Sequence, residues 1–288
     1  MTRERLNIFG DNIGYVRIID TMGDDFTPAE DARMSTGKGR LGPEKDAALQ
    51  KRLMKDNHTS PLEGVIIKVE VGASLNVIRE ADRHRTVDKN SEFDPFDNVM
   101  PEENLRKWFA RNEMSGRYIQ MPDLYYHPVV VRGQSKTNVQ GGDQDMVSIS
   151  PEVAAEFVNR GKDLTRSARE LYNWGVLQGI EKGMARFYNT QNQYTFIRYT
   201  GSLKNWLDAL YLRRPKVVLW ECRMVFEAIF ELLKEEFPVA VSMWEDMVYD
   251  GVRLTGVERR KVYDLLSSVY AASETPDPEM VELLKKMK

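Results

Sequence analysis

Cysteine is almost absent from this chain: Cys222 is the single one in 288 residues. A lone thiol closes no internal disulfide and supplies no thiolate cluster, so a reducing compartment, the cytoplasm, is expected. Histidine is nearly as scarce. His58, His84 and His127 show no zinc spacing, and no metal site is expected. The P-loop pattern does not occur, so a bound nucleotide has to be gripped some other way than by a P-loop, with side chains the available means. No apolar run approaches the roughly 20 residues that span a bilayer. Residues 1–7 lack the apolar centre of a secretory signal, and no membrane association is expected. Positive charge is not in excess either: 41 Lys and Arg against 44 Asp and Glu leave a net charge of −3. That balance excludes a chain that coats nucleic acid through bulk electrostatics, though it allows a local basic pocket.

What is present is an ordinary globular composition, with 42% hydrophobic and 30% charged residues and length enough for a sizeable core. Tyr15–Ile19 reads as a strand. Thr27-Pro28-Ala29-Glu30 reads as a capping box opening a helix, and 43–56 as a second helix with Leu49, Leu53 and Met54 inward. Residues 57–64 read as a polar turn and 65–71 as a strand broken by Gly72. Helical spacing over 74–85 makes Arg79 and Arg83, and Glu80 and His84, i,i+4 neighbours. Fragments 125–126 and 129–131 are strand-like. From Ser150 a long helical region runs to about Tyr188, with possible breaks at Gly161 and Gly175. Further helices are expected from Ser202 to Leu212, from Pro215 to Glu236, from Thr255 to about Ala272, and after Asp277. The expectation is a single α+β domain over 1–288, an antiparallel or mixed sheet with a helical second half, and a helical C-terminal extension from about 240.

Two short stretches carry the chemistry. One is Arg83-His84-Arg85-Thr86. The other is Asn112-Glu113-Met114-Ser115-Gly116-Arg117-Tyr118. Together they resemble the signature of the flavin-dependent thymidylate synthases, Arg-His-Arg followed closely by Asn-Glu-x-Ser-x-Arg-Tyr. Here residues 87–111 separate the halves, which makes about 87–108 an inserted segment. Other stretches are similar in the same order: Gly14–Asp25 with Ala32–Ser35, the turn His58-Thr59-Ser60-Pro61-Leu62-Glu63, Tyr126–Pro128, Arg132–Gln134, Asn138–Gly141, Glu181–Arg186, Thr200–Lys204 and Leu212-Arg213. The resemblance spans roughly residues 10–240.

It implies reductive methylation of deoxyuridine monophosphate (dUMP) to thymidylate. The one-carbon donor is methylenetetrahydrofolate, and NADPH supplies reducing equivalents through FAD. FAD contacts are implied for Ser35, His58, Ser60, Glu63, Arg83, His84, Arg85, Ser202, Lys204 and Asp208. For dUMP they are implied for Glu80, Arg83, Glu113, Met114, Ser115, Gly116, Arg117, Arg186 and Arg213. His58 and Tyr118 fall on the folate side. Arg213 and Ser115 are the implied catalytic pair: Arg213 favours ionisation of the pyrimidine ring, and Ser115 is a positioning hydroxyl. A homotetramer with sites shared between subunits is also implied. The residue types suit the ligands, because arginine forks pair with phosphate oxygens two at a time. Cys222 lies at an apolar helical position and is expected to be buried rather than nucleophilic.

The chain departs from the family at Glu80, where Gln is usual, at Lys204 in place of Arg, at Ser202 in place of Asn, and at apolar Val217–Leu219. These departures leave open a related flavin- and folate-dependent hydroxymethylase, or a methylase of another uridine nucleotide. An inactive nucleotide- or RNA-binding protein is the alternative from another class.

Overall fold

β-branched and aromatic residues gather in three runs, and these form the centre of one sheet. In the computed structural model, residues 4–83, 86–87, 105–106, 109–136, 148–252, 254–271 and 277–287 are described. The sheet strands are β1 (Leu6–Asn7), β2 (Tyr15–Met22), β3 (Ile66–Ser74), β6 (Ala110–Glu113) and β7 (Tyr194–Ser202), in the order β1-β2-β3-β7-β6. Every pairing among the described residues is antiparallel. A separate two-stranded ladder joins β4 (Thr86–Val87) to β5 (Leu105–Arg106), pairing the two ends of the inserted segment. The fold is α+β, as expected.

Strand alternation sorts the two faces of the sheet. Ile67, Val69, Val71 and Ala73 are fully buried. The helices packed on the sheet include α3 (Leu75–Ala81), α6 (Leu203–Arg213) and α7 (Trp220–Glu236). On α7 the expected stripe of Cys222, Val225, Phe226 and Ile229 is buried, together with Val218 just before it. The other face carries Arg17, Glu70 and Arg198 side by side on adjacent strands. Glu70 accepts hydrogen bonds from Arg17 Nε, Arg198 Nε and the Tyr15 hydroxyl, each at 2.8 Å.

Several local expectations are corrected. Gly72 does not break its strand. It pairs with Phe196, and a Cβ there would stand 2.8 Å from the Tyr15 ring and 3.0 Å from that of Phe196. Strand β7 went unrecognised, although its Tyr, Phe, Ile and Thr content is strand-like. Val129 and Val130 are exposed and form no strand, and Tyr125 makes only an isolated bridge to Gln193. Helix α1 (Thr27–Arg33) starts where expected, but Asp24 rather than Thr27 accepts from the free N–H groups, those of Phe26 and Thr27 at 3.0 Å. Helix α2 (Pro43–Lys55) buries Asp46 and Gln50 beside Met54, leaving Leu49 and Leu53 half-exposed. Asp46 pairs with the buried Arg33 guanidinium, which explains a charged residue on an inward face. Helix α4 (Pro151–Leu177) runs through Gly161 and stops before Gly179, whose φ of 83° turns the chain. It therefore ends well short of Tyr188. Helix α7 begins at Trp220, not Pro215.

The chain divides into two units, Met1–Trp244 and Glu245–Lys288. The first also contains α5 (Lys182–Ala185) and α8 (Pro238–Trp244). In the second, the expected capping box forms: Glu258 N–H donates to Thr255 Oγ1 and Thr255 N–H to Glu258 Oε2, opening α9 (Gly256–Ala271), with α10 (Pro278–Met287) beyond it.

Candidate active site

Strand β6 delivers the second half of the signature to the edge of the sheet, and the chain turns immediately after it. Met114 N–H still donates to Phe196 O at 2.9 Å. Then Ser115 O accepts from the N–H groups of Tyr118 and Ile119, closing a tight turn. Ser115 Oγ accepts from Arg117 N–H at 3.3 Å, which leaves its own hydroxyl proton free to donate to a ligand.

The turn opens onto a cavity of about 660 Å³. Glu113, Met114, Ser115 and Gly116 form one wall. Arg186, from the short turn Arg186–Tyr188 after α5, forms another. Arg186 Cδ lies 3.5 Å from where a Cβ on Gly116 would stand, so two segments some 70 residues apart meet closely. Among the described residues Arg186 makes no ion pair, and its side chain is exposed to the cavity. The cavity size and its mixed polar and apolar lining suit a nucleotide.

Sequence reading missed three charged cavity residues. Arg79 lies on the exposed side of α3, Asp82 caps the C-terminal end of that helix, and Arg111 precedes Asn112 on β6. Arg111 makes ion pairs with both Asp82 and Glu113. Asp82 Oδ1 also accepts from the Tyr199 hydroxyl at 2.8 Å, and Glu113 Oε1 from Thr195 Oγ1 at 2.9 Å. Burial and the Asp82 carboxylate raise the Tyr199 phenol well above its ordinary range, so it stays a proton donor. Arg79 was noticed only as a helical neighbour of Arg83. A second arginine one helical turn before the signature was the available signal.

Other expected nucleotide contacts fall elsewhere in this chain. Arg117 is exposed and Tyr118 is 82% exposed. Neither lines this cavity. Arg83 is exposed in the turn after α3. Glu80 and Arg213 are not among the cavity walls; both lie close enough to Cys222 to act on its charge. Arg213 Nε is buried with no hydrogen-bond partner among the described residues.

A second cavity, of about 570 Å³, collects expected flavin residues. Ser35 follows α1, His58 and Ser60 lie between α2 and β3, and Asp31 joins them. Glu63 is on the same 3-10 turn, Ser60–Gly64, and is exposed. Ser202 is buried, with its Oγ accepting from Asn205 N–H at 3.2 Å as the cap of α6. Lys204 pairs with Asp208 one turn on, at 3.0 Å. His84, Arg85 and the stretch 138–141 lie outside the described residues.

Cys222 is completely buried, and its thiol is pushed up to about 12 by that burial and by the Glu80 carboxylate. A thiol so placed is a poor nucleophile near neutral pH. Intact protein treated with iodoacetamide at pH 8 should therefore remain unmodified by mass and keep full activity. Rapid labelling of the native protein with matching inactivation would put Cys222 in the reaction.

The family described as thymidylate synthase complementing protein matches residues 17–239. A flavin-dependent thymidylate synthase of Thermus thermophilus is 32% identical over 254 residues, 88% of this chain and 84% of the relative. One from Kosmotoga olearia is 27% identical over 242 residues, 83% and 93% of the two chains. Among solved structures, the UMP/dUMP methylase PolB of Streptomyces cacaoi, bound with 5-Br dUMP, superposes with a TM-score of 0.66 at 20% identity. That match covers 80% of this chain and 94% of the other.

Proposed function

The chain belongs to the thymidylate synthase complementing protein family, that of the flavin-dependent thymidylate synthases, and on that footing we propose that it converts dUMP to thymidylate. The observation that carries the reading is the 660 Å³ cavity, where Glu113–Gly116 and Arg186 meet. The phosphate of dUMP is a dianion near neutral pH. Arg186 offers it a planar fork, Ser115 a hydroxyl donor, and Gly116 a close backbone approach. Arg213 favours the ionised pyrimidine, from the end of α6.

The second cavity fits a flavin. It is open, and its walls present Ser35, Ser60 and His58 as hydrogen-bonding groups. Ser35, His58 and Ser60 would hold FAD, with Glu63, Arg83, His84, Arg85, Ser202, Lys204 and Asp208 completing the contacts. When bound, the flavin carries reducing equivalents from NADPH to the one-carbon unit donated by methylenetetrahydrofolate. This chain's residues position the pyrimidine, shield it from water and keep its phosphate neutralised. His58 and Tyr118 stand on the folate side.

We also infer a cytoplasmic homotetramer whose sites draw residues from more than one subunit. No described helix is long and apolar enough to cross a membrane. Helix α4 exposes Val153, Phe157, Leu164, Leu171, Trp174 and Leu177, an apolar content that asks for cover. Sharing between subunits also accounts for Arg117, Tyr118 and Arg213 standing away from the nucleotide cavity of their own chain.

The decisive experiment incubates purified, flavin-loaded protein with dUMP, methylenetetrahydrofolate and NADPH and identifies the nucleotide product by mass. Thymidylate is expected. A hydroxymethylated product, or turnover of UMP in preference to dUMP, would assign one of the related chemistries. A colourless protein that takes up no flavin would sink the reading altogether.

A further inference from the structure

We propose that Arg111 is a positioning residue for the nucleotide, a clamp that rejoins the two halves of the split signature across the inserted segment. This inference rests on the reading of the 660 Å³ cavity as the dUMP site.

The chain leaves α3 through Asp82 and Arg83, enters the insertion, and returns at Phe109 into β6. Strand β6 is an edge strand, laddered to β7 alone. It is short: its ladder covers Ala110–Glu113, with one more backbone bond from Met114 N–H to Phe196 O. Residues 109, 111 and 113 share one face by strand alternation. Phe109 packs on Trp206 with ring centroids 4.2 Å apart and on Tyr199 at 6.0 Å. Arg111 stands opposite Tyr199 in the ladder. Its guanidinium reaches Asp82 with one nitrogen and Glu113 with the other. Tyr199 closes the ring by donating to the second oxygen of Asp82. The residue just before the first half and the first acidic residue of the second are thereby held on one side chain, 29 positions apart along the chain for Arg111 and Asp82.

Two consequences follow for a dianionic ligand. The first is geometric: Glu113 ends the strand that leads into the turn carrying Ser115 and Gly116, so its position helps set theirs. The second is electrostatic. Asp82 and Glu113 both face the cavity, and two bare carboxylates there would repel a phosphate. Arg111 answers both at once, and only a planar, forked cation can do so. Lysine has one point charge and would serve one carboxylate at a time.

The test compares wild type with R111M, R111K and the double variant R111M/D82N, all loaded with flavin. Affinity for dUMP and for FAD are read separately by titration. R111M should weaken dUMP binding at least tenfold while FAD affinity and the flavin spectrum stay at wild-type values. R111K should fall between. Removing the stranded carboxylate in R111M/D82N should recover most of the loss. A merely structural role would weaken both ligands together and would not respond to D82N. R111M binding dUMP within twofold of wild type would overturn the clamp and leave the proposed function standing. If wild type itself takes up flavin but no dUMP, both the clamp and the nucleotide reading fall.

Discussion

Replacing Arg186 with methionine lowers thymidylate formation, measured as kcat/KM for dUMP, by about 100-fold, with the flavin retained. The magnitude follows from what the guanidinium offers. A bidentate arginine–phosphate contact comprises two charge-assisted hydrogen bonds, and a hydrogen bond to a charged group contributes about 1.5–3 kcal/mol. Loss of about 2.7 kcal/mol is a factor of about 100. Methionine keeps the length and much of the apolar stem, so packing beside Gly116 and Met121 is preserved. No ion pair is broken by the change among the described residues, so the fold has little reason to respond. Arg186→Lys keeps the charge and loses the fork, and should fall about tenfold. Turnover by the methionine variant within threefold of wild type would remove Arg186 from the nucleotide site.

How much of this site was legible before the fold was known depends on how each part is built. Glu113–Gly116 could be read because it is one contiguous turn whose residues act together. Arg186 could be read through its surrounding segment, although nothing in the sequence shows that it meets Gly116. Arg111 could not. Its importance comes from Asp82 across the insertion and from Tyr199 across a strand ladder, and the strand containing Tyr199 was itself missed. The same limit explains α2, where Asp46 and Gln50 point inward because Arg33 and the Asp25 carbonyl wait there as partners. Periodicity of apolar residues cannot report a buried face made of satisfied polar groups. The overall α+β class and the apolar stripe of α7 needed no partner knowledge, and they agree with the structure.

A second large effect is expected at Glu221, which lines neither cavity. This carboxylate is 5% exposed, in the first turn of α7. It accepts from Arg132 Nη2 at 2.7 Å and 2.6 Å, one bond to each oxygen, and from the Tyr126 hydroxyl at 3.0 Å. Arg132 lies over the Trp220 ring at 5.4 Å, and Phe9 packs on both Tyr126 and Trp220. The cluster therefore fastens the loop that follows the signature onto α7. Glu221→Leu leaves a guanidinium and a phenol without their acceptor in a largely dry site. Breaking one side of a buried ion pair costs about 3–5 kcal/mol, and Arg132 keeps some access to water, which favours the lower figure. For a domain of this size, about 3 kcal/mol moves the thermal midpoint down by roughly 6–12 °C. The informative comparison is the double variant Glu221→Leu with Arg132→Met. Removing both charges leaves an apolar contact of similar volume, and such replacements are often neutral. The double variant should therefore unfold at a higher temperature than Glu221→Leu alone, although it carries one more substitution. A double variant less stable than the single one would mean that Arg132 holds the loop through its stacking on Trp220, and that Glu221 is not what keeps it there.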